Sequence, residues 1–157
     1  MKQSCNIRSI RAAVLALMIF AGAVAGGCGE DRPNPKNTVK DLFTAMQNSD
    51  SAAVRALVDL ESVAPTVLGE LPEIRPVDSL TVPDTTAWLL GQMTGDGRLR
   101  QRWLTDNQIV LGDTEISGDS ALVEVSFLDR VTRVQYYNKM RLVYRGDRWV
   151  ITQFRTM

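Results

Sequence analysis

A carboxylate, a phenol and an amide fall close together late in the chain, at Asp129, Tyr136 and Asn138. An aspartate can take a proton as general base while a tyrosine hydroxyl and an asparagine amide polarise a carbonyl, so the three residue types compose a workable proton-transfer site. They would have to work without imidazole. The 157-residue chain contains no histidine, which removes Ser-His-Asp and Cys-His machinery, His-ligated zinc and the side chain that titrates nearest neutral pH. Simpler readings need no chemistry: a solvent-exposed strand end for Asp129, and a bulge or a hydrogen-bonded core position for Asn138.

A second group lies on the alternate positions of the same segment. Arg133, Lys139 and Arg141 surround Tyr137, a basic and aromatic set suited to anionic lipid headgroups, glycan phosphates or an acidic partner. The charge is uneven along the chain. Leu128 to Met157 holds seven basic residues against two acidic, whereas Cys28 to Phe127 holds eight against sixteen. The wet face of an amphipathic strand gives the same pattern for solubility alone. Arg145-Gly146-Asp147 matches a known recognition tripeptide, but a tight hairpin turn already explains its glycine and aspartate. There is no phosphate-binding glycine loop, calcium loop or paired metal-ligand spacing, so no metal and no cofactor is expected.

Cysteine use narrows the chemistry further. The chain opens with Lys2, Arg8 and Arg11, then runs uncharged from Ala12 to Gly27 in Ala, Val, Leu, Ile and Met. These are the basic and apolar regions of an export signal, and the run is shorter than the roughly 20 apolar residues that span a bilayer. It ends in Ala25-Gly26-Gly27-Cys28, which resembles the lipobox of bacterial lipoproteins. That resemblance implies cleavage of residues 1–27, acylation of the Cys28 thiol and, with Gly29 following the cysteine, an outer-membrane address facing the periplasm in a two-membrane bacterium. Cys5 would leave with the signal and Cys28 would be consumed by lipid, so no thiol remains for a disulfide, a metal or a nucleophile. Nucleic acid is a poor partner for an exported chain whose remainder carries a net charge of −3.

Residues 28–36 read as a polar tether stiffened by Pro33 and Pro35; extended at ~3.1 Å per residue, the eight after Cys28 would hold a domain roughly 25 Å from the anchor. Residues 37–157 form one domain. Asn37 or Thr38 can cap a first helix carrying Val39, Leu42, Phe43 and Met46, and Asn48 to Ser51 break it before a second with Val54, Leu57 and Val58. Four of the six prolines fall between Ser62 and Asp84, which predicts an extended, partly packed segment. A third helix is expected over 85–93, and 99–104 fits helix or strand. After Gly97 no proline remains and β-branched and aromatic residues rise. Strands are expected at 107–117, 120–129, 133–144 and 148–155, with Gly118-Asp119 and Gly146-Asp147 as tight turns of an antiparallel meander. Ala121, Val123, Val125 and Phe127 share one face of the second strand; Val134, Tyr136, Met140 and Leu142 share that of the third.

Helices first and an antiparallel sheet after, closed by the hairpin Arg141 to Phe154 with Trp149, resembles the cystatin-like, nuclear-transport-factor-2-like superfamily and its small bacterial lipoproteins. The resemblance implies an α+β cone in which helices pack on the concave side of a bent sheet, with Asp129, Tyr136 and Asn138 on the inward face. Two functional classes are compatible with it. One is a non-catalytic accessory module enclosing a small apolar ligand or docking an envelope protein; the other is a His-free isomerase or hydratase based on Asp129, since related enzymes use acidic and hydroxyl groups inside the cone.

Overall fold

The computed structural model describes residues 32–70 and 82–156. The segment expected to be an export signal, Cys28 and the middle of the Pro-rich segment lie outside the described residues.

Helix α1 spans Pro35–Gln47, capped by Asn34, whose side chain accepts a hydrogen bond from the Lys36 amide. The helix therefore begins before Asn37. Proline at its first position lacks only an N–H that would have no helical partner there, and its φ already suits a helix. Val39, Leu42, Phe43 and Met46 line the buried stripe. Asp50 caps α2 (Ser51–Leu57) by accepting from the Ala53 amide at 2.9 Å. Val58 then turns extended and forms a parallel bridge to Ile151 of the sheet.

The extended segment expected after Ser62 is instead helical up to Glu70. Helix α3 runs Leu60–Glu70 with Pro65 inside it. Leu60, Val63, Ala64 and Val67 are all buried, an i, i+3, i+4, i+7 stripe that outweighs one lost amide at an exposed proline. Asp59 starts the helix, accepting from the Ser62 amide at 3.2 Å. Helix α4 covers Val82–Thr94, longer than expected at both ends, with Leu89 and Met93 fully buried.

The ambiguous stretch before the sheet is a single helical turn, α5 (Arg98–Arg100), running into a π-helical segment over Gln101–Asp106. Arg100 reaches back to the C-terminal end of α1, its Nε donating to the Met46 carbonyl at 2.7 Å and a terminal nitrogen to the Gln47 carbonyl at 3.0 Å. A cation there satisfies carbonyls that the helix leaves open and opposes its dipole.

Four antiparallel strands follow in sequential order: β1 (Asn107–Ser117), β2 (Ser120–Asp129), β3 (Gln135–Arg145) and β4 (Arg148–Thr156). Gly118 and Gly146 sit at φ 55° and 70°, the left-handed conformation that tight hairpin turns require and glycine adopts without strain. The register shifts between Leu111 and Thr114 on β1, and between Arg141 and Leu142 where β3 meets β4; such irregularities bend and twist strands. The helices cover one face. Helix α3 packs on β4 and α1 on β2 and β4, making this an α+β fold with its core between helices and sheet.

Candidate functional site

Alternation along the strands divides the candidate residues between two surfaces. On the inner, helix-covered face, Ala121, Val123, Val125 and Phe127 are buried as expected, as are Met140 and Leu142. Four aromatic rings fill the space above them. Trp103, from the π-helical segment, stacks on Phe127 with centroids 5.3 Å apart and an interplanar angle of 26°. It also meets Phe154 edge-on at 5.2 Å and Phe43 at 6.0 Å. Phe43 in turn meets Phe127 at 6.2 Å. Such offset and edge-to-face contacts are the favourable geometries for aromatic rings, and among the described residues these four interlock over the inner face.

Asn138 belongs to this face. It lies opposite Val125, is 8% exposed, and its Oδ1 has no hydrogen-bond partner. Tyr136, two residues earlier, lies opposite Phe127 on the same side, but the residue is 42% exposed. Val134 is exposed as well, so the inward stripe of β3 enters the core only from Asn138 onward. Here the Arg102 guanidinium, from the π-helical segment, lies over the Tyr136 ring, 5.8 Å from its centroid.

Asp129 is not gathered with them. Its Oδ1 accepts from the amides of Val131 and Thr132 at 2.9 and 2.7 Å, and its own amide donates to the Val134 carbonyl at 2.9 Å. The carboxylate thus organises the loop between β2 and β3. Hydrogen bonds from the Thr132 and Val131 amides hold its pKa below the ordinary aspartate value, the wrong direction for a general base, which gains from a pKa raised toward neutral. The same loop places Arg133 at φ 62°.

The outer face carries the second set. Val110, Ser126 and Tyr137 form one row across β1, β2 and β3. Val110 and Tyr137 are each 48% exposed, and the small Ser126 between them is buried. Leu128 and Gln135 pair in the next row toward the loop. In the other direction, Lys139 lies opposite Glu124, with its Nζ 3.2 Å from Glu124 and 3.9 Å from Glu115. This corrects the basic surface expected from β3 alone. Cross-strand glutamates from the acidic part of the chain neutralise Lys139, leaving Tyr137 between the Gln108–Leu128–Gln135 row and a mixed-charge one. Arg141 is exposed further along, opposite Leu122, and Arg133 stands in the β2–β3 loop rather than on the strand.

A third feature was missed by the sequence reading. Pro33 and Arg32, assigned to the tether, are bound to the sheet. Trp149, 1% exposed, donates its Nε1 proton to the Pro33 carbonyl at 2.6 Å. The Arg32 guanidinium lies 4.7 Å from the centroid of the Tyr144 ring, donates to the Gly118 carbonyl at 2.9 Å and is 2.8 Å from the Asp119 carboxylate. Beside this segment lies an open depression of about 530 Å³, bordered among others by Lys36, Asp113, Ile116 and Trp149. A buried tryptophan needing a hydrogen-bond acceptor was the available signal.

No protein-family model and no curated protein matches the chain. Among solved structures it is similar to a protein of Campylobacter jejuni named as a proposed NTF2-like transpeptidase, at 16% identity and a TM-score of 0.47, covering 76% of this chain and 97% of that one. It is also similar to an NTF2-like protein of unknown function from Silicibacter pomeroyi, at 11% identity and a TM-score of 0.43, covering 78% and 92% respectively.

Proposed function

We propose that this chain is a bacterial envelope lipoprotein, anchored by lipid on Cys28, whose domain is a non-catalytic accessory module that docks an envelope protein through the outer face of its sheet. The outer membrane, facing the periplasm, is its place in a two-membrane cell. The address rests on the basic and apolar leader that ends at Ala25-Gly26-Gly27-Cys28. Replacing Cys28 with Ser should abolish fatty-acid labelling and maturation, and labelling that persists would place the lipid elsewhere.

The docking role rests on one observation. The rings of Phe43, Trp103, Phe127 and Phe154 occupy the concave side, where an apolar ligand or a substrate would otherwise sit, while Val110 and Tyr137 stand exposed on the opposite face. The enzyme alternative loses its base, because Asp129 is committed to a loop and its pKa is lowered. Native mass spectrometry of the lipidated chain after mild detergent extraction tests the choice. The expected spectrum contains the lipidated polypeptide alone; a stoichiometric small molecule that survives extraction would restore the cavity reading.

A further inference from the structure

We infer that the end of the sheet carrying the Gly118-Asp119 and Gly146-Asp147 turns faces the lipid bilayer, because the segment leading to the anchor is strapped to that end. The inference rests on the lipid anchor at Cys28 proposed above. A free tether from Gly29 to Lys36 would let the domain tumble about 25 Å from the membrane. The structure shortens it. Pro35 and Lys36 belong to α1, and Arg32 and Pro33 are held by four groups on the sheet: the Trp149 indole, the Tyr144 ring, the Gly118 carbonyl and the Asp119 carboxylate.

These four groups share one end of the meander. Gly118 and Asp119 form the β1–β2 turn, the Tyr144 amide donates to the Asp119 carbonyl at 2.8 Å, and Tyr144 pairs with Trp149 beside the β3–β4 turn. Asn34 then caps α1, fixing the chain direction on the far side of the strap. From Cys28 to Arg32 the chain takes four residue steps, which at ~3.3–3.6 Å each reach at most about 14 Å. The opposite end of the sheet, at the Asp129–Val134 loop, lies the length of β3 away. Eleven residues at ~3.4 Å make that about 35 Å. An anchor this short, attached to one end of so long a sheet, holds that end at the lipid surface and points the other, with Val131, Arg133 and Tyr136, into the aqueous space.

The test uses the full chain matured in a bacterium. With Cys5 removed and Cys28 acylated, one introduced cysteine takes a fluorophore selectively. Asp147→Cys marks the strapped end without touching the strap, Ser117→Cys serves as a second marker there should the turn variant fold poorly, and Val131→Cys marks the far loop. Each is reconstituted into phosphatidylethanolamine–phosphatidylglycerol vesicles containing nitroxide-headgroup lipid. Quenching several-fold stronger at position 147 or 117 than at 131 is expected, and Arg32→Ala should shrink that difference. Equal or reversed quenching in protein that has incorporated palmitate would overturn the orientation while leaving the anchor intact. Absence of palmitate would overturn the anchor, and the orientation with it.

Discussion

The two faces of strand β3 are one residue apart in sequence and opposite in character. Asn138, Met140 and Leu142 point into a packed interior in which Trp103 is wedged between Phe127, Phe154 and Phe43. Tyr137 and Arg141 point outward and are exposed, with Lys139 paired to glutamates. Here the inner side carries aromatic side chains from four elements, α1, the π-helical segment, β2 and β4, while near the start of β3 Tyr136 is left accessible on the inner face and Tyr137 on the outer.

Substitutions on the two faces should therefore differ most in stability. Trp103→Ala removes the ring that touches the other three, and should lower the unfolding free energy by about 3–5 kcal/mol. Tyr137→Ala on the outer face should stay within about 0.5 kcal/mol of the parent. Urea midpoints at a common slope measure both, and similar losses at the two sites would erase the contrast.

Asn138 gives a subtler reading of the inner face. Its buried Oδ1 lacks a donor, and an unmet buried polar atom costs about 1–3 kcal/mol. Asn138→Leu should therefore hold or raise the urea midpoint. A clear fall would mean that the amide serves the interior in a way the contacts do not display.

An effect well below that of Trp103→Ala lies at the edge of the core. Asp59 caps α3 and is 2.9 Å from the Arg145 guanidinium. Burial works to raise its pKa, but the Ser62 amide and Arg145 outweigh this and bring it below 3.8. A carboxylate with a depressed folded pKa stabilises the fold above its unfolded value of 3.8 and loses that contribution as pH falls through the folded one. Asp59→Asn should thus cost about 1 kcal/mol or less near neutral pH, given that Arg145 is half exposed, and the gap to the parent should close in acid. A gap that widens below pH ~3.8 would contradict the sign.

Much of the architecture was legible in the sequence because its signals were local. The strand bounds followed from the loss of proline, the alternation of Ala121 to Phe127 and two Gly-Asp turns; the α1 stripe followed from helical spacing. The errors arose where a local signal met a tertiary one. Prolines at 65 and 72 suggested an extended chain, yet the Leu60–Val63–Ala64–Val67 stripe had a sheet to pack on. The basic character of β3 was read without its neighbours, and only the register brings Glu124 and Glu115 to Lys139. Asp129 sat at the right strand end for an inward base, but its side chain is taken by the loop amides two and three residues on. Only a tryptophan in need of an acceptor hinted at the strap, because it joins Arg32 and Pro33 to residues more than 80 positions away.

The central claim is that the outer face of the sheet, not the concave side, is where this domain meets its partner. Its most direct test is photo-crosslinking in the living bacterium with a benzophenone amino acid at position 110 or 137, and at exposed Glu61 on α3 as a control. A discrete adduct of one size from both sheet positions and none from 61 is the predicted result. The account is contradicted if stable, membrane-bound protein gives no adduct from the sheet, or gives the same adducts from all three positions.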